Sequence, residues 1–435
     1  MSLWNLVSAL GLVAFAALAW LAGGCRRPVT WRPVLGSAGL MLVLALAVFR
    51  LPPMRTVLLW VNDAVVSLLD ASREGALFLF GPLAVGPGES TASGEPSVGF
   101  VLAAQVLPAV VFFAAVMAGL YHLRAVQPVI RLLARGLRRT LRLSGAEALA
   151  AASNIVVGIE AALTVRPFLE RMTRSELLTL LTASMATVAS TTLAIYVMFL
   201  RATFPAIAGH LVSASVLSIP AAVLVSKLML PEREHPVTLG EVPRETGEAR
   251  HDSLMAALIA GSWDGLRLAA GIAGLLIAVL GLVGVLDRVL VAASGAVLGP
   301  DAAPVGIERL LSWLFLPLAF LLGIEPGELS EAGRLLGGRI VLTEVWAYRQ
   351  LGEAAAAGTL GPRSVLVLSY ALCGFAHFAS LGIFVGGVAA LAPSRREDLA
   401  RLAWRALVGA TLATLMTGAL AGLFEHGASG VLMAG

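Results

Sequence analysis

The chain has 435 residues, of which 58% are hydrophobic and only 13% charged, with a mean hydropathy of +0.88. So few charges do not cover a water-facing surface, which excludes a set of soluble domains and makes lipid the solvent for much of the exterior. The net charge of +4 does not mark a nucleic-acid binder, because the basic residues sit in short clusters between apolar runs rather than along one face. Cys25 and Cys373 lie in unlike contexts and make neither a disulfide nor a metal framework.

A hydrocarbon core near 30 Å requires about 20 apolar helical residues. Such runs occur at roughly 4–23, 35–51, 101–121, 206–228, 266–290 and 402–424. Two further runs, about 175–200 and 365–392, are long enough but interrupted by small and polar residues. The first run ends in Leu21-Ala22-Gly23-Gly24-Cys25, which is similar to a lipoprotein cleavage box, yet no Lys or Arg precedes it. An uncleaved first span is expected.

Four basic loops set the orientation. Arg26, Arg27 and Arg32 follow the first run, and Arg131, Arg135, Arg138, Arg139 and Arg142 follow the third. Lys227 to Asp252 follows the fifth, and Arg395 with Arg396 precedes the last. All four fall on one side if the chain starts outside and crosses eight times, and the positive-inside rule makes that side the cytoplasm. The expectation is a multi-pass protein of the inner (plasma) membrane with both termini outside the cytoplasm. The arginine-rich stretch Arg135 to Arg142 reads as an amphipathic helix on the cytoplasmic interface, and Gly81 to Gly99 as an exposed loop.

Two segments do not fit as ordinary spans. Ala146 to Leu169 is cut by Asn154, Gly158, Glu160 and Arg166. Pro304 to Trp346 holds two apolar pieces separated by Gly323-Ile324-Glu325-Pro326-Gly327 and then runs into Glu344. Each reads as a re-entrant hairpin, which the bilayer tolerates only where protein or a water-filled cavity satisfies the broken backbone. Each is followed by an interrupted helix and a clean span, and an odd number of crossings between the two units inverts one relative to the other. Paired discontinuous elements in inverted halves point to a site near the bilayer midplane. The expected organisation is a scaffold over 1–145, a first hairpin repeat over 146–230, a linker with a scaffold span over 231–303, and a second hairpin repeat over 304–435. The fold class is all-α: eight transmembrane helices, two hairpins and two interrupted helices.

Glu160 and Glu344 stand at corresponding places in the two units. A carboxylate at mid-bilayer costs several kcal/mol and survives facing a cavity, a cation or a paired base. The bland reading pairs Glu160 with Arg166 and Glu344 with Arg339; contact with a solute or ion is favoured for both. Asn154 falls in a membrane break, where its carbonyl and freed main-chain carbonyls near Val157 suit a hard cation, with Thr187 offering an oxygen from the interrupted helix. Capping of broken helix ends is the other reading of Asn154 and Thr187. His377 and Ser380 lie three apart, hence on one helical face, with a buried histidine satisfied by a carbonyl as the alternative. No hydrolase or nucleotide-binding motif is present, and a His–Ser–Glu set at this spacing makes a poor triad, so an enzyme is not expected.

From about Val65 onward the chain resembles the concentrative nucleoside transporter family. The resemblance rests on ordered matches: Leu69-Asp70-Ala71-Ser72-Arg73-Glu74-Gly75-Ala76, Val106-Leu107-Pro108, Met172-Thr173-Arg174-Ser175-Glu176-Leu177 with Met185-Ala186-Thr187-Val188-Ala189, and Ser213-Ala214-Ser215-Val216. They continue through Trp313-Leu314-Phe315-Leu316-Pro317, Leu342-Thr343-Glu344-Val345 and Tyr370-Ala371-Leu372-Cys373-Gly374-Phe375-Ala376 to Gly386-Gly387. What it implies is a homotrimer in the bilayer that carries nucleosides inward by a cation-coupled elevator motion. Its sodium pattern falls on Asn154, Val157, Thr187 and Val188, and its solute contacts on Glu160, Thr192, Glu344, Phe375 and Ser380. The base-side hairpin motif Gly-Gln-Thr-Glu-Ala-Pro is matched here by Gly158-Ile159-Glu160-Ala161-Ala162, one residue shorter and without the Gln and Thr. His377 replaces the family's Asn. A site without those amide and hydroxyl partners discriminates among bases differently, because polar recognition carries the large specificity ratios.

The reading is therefore a secondary active importer of nucleosides or related small polar solutes, coupled to Na⁺, or to H⁺ instead since histidine changes charge near neutral pH. No organic cofactor and no nucleic acid partner is expected. The alternative is a solute-sensing membrane protein on the same scaffold without flux.

Overall fold

The computed structural model describes residues 2–25, 28–86, 89–91, 94–155, 161–188, 190–239, 252–298 and 305–425. The chain is all-helical. Helices α1 (Leu3–Ala22), α2 (Trp31–Arg50) and α3 (Pro52–Phe80) are followed by the short α4 (Leu102–Gln105), then α5 (Leu107–His122) and α6 (Gln127–Leu141). Next come α7 (Gly145–Ser153), α8 (Ala161–Thr164), α9 (Arg166–Leu169), α10 (Arg174–Ala186), α11 (Ser190–Leu200) and α12 (Ile207–Met229). The remainder runs α13 (Leu254–Leu298), α14 (Ile307–Leu321), α15 (Leu329–Leu342), α16 (Glu344–Ala356), α17 (Pro362–Ala371), α18 (Phe378–Ser380), α19 (Gly386–Leu391) and α20 (Arg396–Phe424).

Among the described residues six helical stretches are long and apolar enough to cross a bilayer: Leu3–Ala22, Trp31–Arg50, Leu102–His122, Ile207–Met229, Leu280–Val297 and Pro393–Phe424. The protein is a multi-pass membrane protein. The run expected at 266–290 belongs to one unbroken helix of 45 residues, α13, because no proline occurs between Leu254 and Leu298. Helix α3 escaped the hydropathy reading because Asn62, Asp63, Asp70, Arg73 and Glu74 interrupt it. The arginine-rich helix starts earlier than the charges suggest: Pro128 occupies its first turn, Ile130, Ala134, Leu137 and Leu141 are buried, and Arg142 ends it in the left-handed region at φ 53°.

Helix α12 lies at the centre, 89% of its apolar window buried, packed by α2, α10 and α20. By contrast, Leu280–Val297 of α13 has none of its window covered within one chain. Capping boxes start α7 (Ser144 with Glu147) and α10 (Thr173 with Glu176), satisfying amides that the first turn leaves free. The two caps are tied together. Ser144 Oγ donates to Glu176 Oε1 at 2.5 Å, and Lys227 Nζ of α12 reaches Glu147 Oε1 at 2.5 Å and Ser175 Oγ at 3.0 Å.

Both interrupted helices are broken where the sequence placed the interruptions. Helix α10 stops at Ala186 with Thr187 extended (φ −106°, ψ 165°), before α11 resumes at Ser190. Helix α17 stops at Ala371, and a π-helical turn over Leu381–Val385 joins α18 to α19. The second hairpin differs from the expectation. Gly323–Gly327 only turns α14 back onto α15, whereas the sharp reversal sits at Thr343 (φ 112°) between α15 and α16. That is the junction immediately before Glu344. Gly338 lets the two arms close there: a Cβ at that position would lie 2.2 Å from the Trp346 ring.

Candidate functional site

Glu344 is the first residue of α16, so its carboxylate stands at a helix amino end where negative charge is favoured. The residue is 3% exposed. Tyr196 of α11 donates its hydroxyl to Oε1 at 3.1 Å, and His377 Nε2 lies 2.7 Å from Oε2. The His377 contact is close without being an aligned hydrogen bond, so Oε2 keeps lone pairs for a solute hydroxyl. Arg339, the partner in the bland reading, does not pair with Glu344. Its Nη1 donates instead to Ala371 O at 2.7 Å and Thr414 Oγ1 at 3.0 Å.

His377 and Ser380 meet, but not as neighbours on one helical face. His377 is extended (φ −143°, ψ 165°) and caps α18: its Nδ1 accepts the Ser380 amide at 3.3 Å, and Ser380 Oγ accepts the His377 amide at 3.3 Å. Capping fixes the ring. With Nδ1 committed as an acceptor, the ring proton belongs to Nε2, the nitrogen that faces Glu344. Ser380 Oγ also donates to the carbonyls of Phe375 and His377, so its hydroxyl serves the break itself. Phe375 stands beside this group, its ring centroid 6.5 Å from that of His377.

Tyr196 is the member that the sequence reading missed. It stacks on Tyr348 of α16 (centroids 4.2 Å apart, planes at 11°), and Tyr348 in turn donates to Ser369 O of α17 at 2.6 Å. The available signal was compositional. A phenol in an apolar helix keeps a partner for its hydroxyl, and the chain has four tyrosines.

The second constellation lies at the other break. Asn154 caps the end of α7, fully buried, and among the described residues neither its Oδ1 nor its Nδ2 has a hydrogen-bond partner. An orphaned buried amide costs about 1–3 kcal/mol, which a ligand on it would offset. Helix α7 packs against α10, the helix that ends just before Thr187 and Val188, both buried at 1% exposure. Thr187 Oγ1 spends its proton on Ala183 O at 3.0 Å, leaving its lone pairs free to face a cation. Amide, hydroxyl and main-chain oxygens are a donor set for a hard cation, and the orphaned Asn154 carbonyl fits Na⁺. Thr192 is buried near the start of α11. Glu160 and Val157 lie outside the described residues.

The two breaks touch. Gly374 has φ 142°, and a Cβ there would lie 2.9 Å from Ala186 O and 2.9 Å from Thr414 Cγ2. Only glycine allows the chain of the second break to pass this close to the end of α10.

Three segments of the chain match known families. Residues 10–83 match "Na+ dependent nucleoside transporter N-terminus", residues 103–203 match "Nucleoside recognition" and residues 210–422 match "Na+ dependent nucleoside transporter C-terminus". The uncharacterized transporter YutK of Bacillus subtilis is 35% identical over 97% of this chain and 99% of its own length. Sodium/nucleoside cotransporter 1 of Mus musculus is 33% identical over 96% of this chain and 64% of its own length. The structure of CNTnw in an inward-facing, substrate-bound state superimposes with a TM-score of 0.86 at 33% identity, covering 97% of this chain and 98% of that one. These likenesses span nearly the whole chain and agree with one another, so the protein belongs to the Na⁺-dependent, concentrative nucleoside transporter family, whose members are transporters and not enzymes.

Proposed function

We propose that the protein imports nucleosides or related small polar solutes across the inner membrane, driven by Na⁺, through an elevator-type movement of its two hairpin repeats. The observation that carries this reading is Glu344. A carboxylate buried at a hairpin tip, held from two sides yet with lone pairs in reserve, is costly unless it meets solute hydroxyls. The solute set is Glu160, Thr192, Glu344, Phe375, His377 and Ser380; the cation set is Asn154, Val157, Thr187 and Val188. Family membership supports both assignments, and the orphaned Asn154 amide supports the second.

The basic loops support an orientation with both termini outside the cytoplasm. The uncovered apolar stretch Leu280–Val297 supports assembly of three copies around α13. The scaffold of 1–145 and 231–303 would stay fixed while 146–230 and 304–435 move.

Uptake of radiolabelled uridine into proteoliposomes tests the reading. Inward Na⁺ should drive accumulation, and Glu344→Gln should abolish it. Absence of accumulation for every nucleoside under both Na⁺ and H⁺ gradients discards it, and binding without accumulation identifies a sensor instead.

A further inference from the structure

The second repeat carries a buried cation of its own. Arg339 has no accessible surface, and among the described residues its side chain makes only two bonds, both through Nη1, to Ala371 O and Thr414 Oγ1. Among the described residues Nε and Nη2 have no hydrogen-bond partner and no carboxylate pairs with the guanidinium. A hydrophobic side chain of that volume would fill the same space without the desolvation cost of an unpaired guanidinium.

The partners explain its place. Ala371 is the last residue of α17, so its carbonyl is among those that a helix end leaves unbonded, at the negative pole of the helix. Thr414, the other partner, also lies against Gly374, whose neighbour across the break is the final carbonyl of α10, Ala186 O. Arg339 thus sits where both broken helices end. The two hairpins correspond here as well: Arg339 stands five residues before Glu344, and Asn154 stands six residues before Glu160.

We infer that Arg339 is the resident cation of the second break. Its tethered guanidinium does for the carbonyl end of α17 what a dissolved cation does for the first break, so the second break closes without an ion from solution. The parallel with Asn154 rests on the sodium reading proposed above, but the test of Arg339 does not.

Full-length protein in detergent is melted in Na⁺-free buffer with and without guanidinium chloride at about 10 mM, far below denaturing concentrations, against choline chloride at equal ionic strength. Arg339→Ala should melt below wild type, and guanidinium, but not choline, should raise its melting temperature while leaving wild type unmoved. Uptake in Arg339→Ala should fall about tenfold or more, as expected for loss of charged hydrogen bonds, with partial recovery in guanidinium. Arg339→Lys should retain most stability and uptake, and Arg339→Met, neutral and of similar length, should not. A Met variant equal to wild type, or an Ala variant that guanidinium does not stabilise, overturns the inference. If the Ala variant does not fold, the Lys–Met comparison decides by itself. Because melting requires neither solute nor Na⁺, failure here leaves the assignment of Asn154 standing, and failure of that assignment leaves Arg339 as argued.

Discussion

The hydroxyl of Tyr196 and the carboxylate of Glu344 meet at 3.1 Å across 148 residues of chain, joining the far half of one broken helix to the tip of the opposite hairpin. The bond couples the two repeats at the proposed solute site. Tyr196→Phe keeps the ring stack on Tyr348 and removes only the donor. A hydrogen bond to a charged group contributes about 1.5–3 kcal/mol. The expected outcome is a lower melting temperature, from a stability loss of that order, together with a raised KM for uptake, both measured on the same purified protein.

His377 does two jobs, capping α18 through Nδ1 and facing Glu344 through Nε2, and substitutions separate them. Asparagine caps well, so His377→Asn should keep stability within about 1 kcal/mol while releasing Glu344. Apparent affinity for solutes with a vicinal diol should rise, because Oε2 no longer faces the ring. His377→Ala loses both functions and should lower stability by about 1 kcal/mol in addition. Competition of unlabelled ribose and deoxyribose nucleosides against uridine uptake reads the first effect, and thermal melting the second.

Asn154 yields a prediction with opposite signs for stability and coupling. Its amide is buried and among the described residues bonded to no protein group, so Asn154→Ala removes an orphan rather than a contact. Stability in Na⁺-free buffer should hold or improve. Wild type should gain melting temperature as Na⁺ rises, by the linkage of a ligand that binds only the folded state, and the variant should gain none. A sodium-dependent shift that persists in Asn154→Ala would place the ion elsewhere.

The breaks must pass each other closely, and Gly374 permits it. Alanine there meets Ala186 O and Thr414 Cγ2 at 2.9 Å and is forced into a backbone region that disfavours a side chain. A cost of about 1–3 kcal/mol for the backbone alone is expected, so Gly374→Ala should melt lower and transport less even with every polar group of the site intact.

Much of this site is legible in the order of residues. Asn154, Glu344 and His377 are polar residues in apolar surroundings, and the bilayer makes such residues conspicuous. The interruptions near Thr187 and Gly374 are legible for the same reason. What stays hidden depends on geometry. Nothing in the amino-acid sequence says that the second hairpin turns at Thr343 rather than at Gly323–Gly327, since glycine and proline are the usual signals of reversal and Thr343 is neither. Nor does spacing reveal that His377 precedes its helix instead of lying on it, because a cap and a helical face both use residues three apart. The partner of Tyr196 is invisible because it lies in the other repeat.

The ion cluster that ties α7, α10 and α12 is also out of reach of sequence, and its worth can be measured. Lys227 and Glu147 are both 2% exposed in their side chains and lie 2.5 Å apart. Removing one partner of a buried pair costs about 3–5 kcal/mol because the other charge is left uncompensated, whereas removing both is often neutral. Lys227→Met should therefore be severely destabilised, and adding Glu147→Gln should restore most of the loss. Ser175 and Glu232 also approach the ammonium, so the recovery should be incomplete. The capping role of Glu147 sets a further limit: the glutamine can still reach back to the Ser144 amide as the acid does at 3.2 Å, so the start of α7 survives in the double variant. Melting of the two single variants and the double variant closes the cycle, and simple additivity of the two losses would show that the pair does not act as a pair.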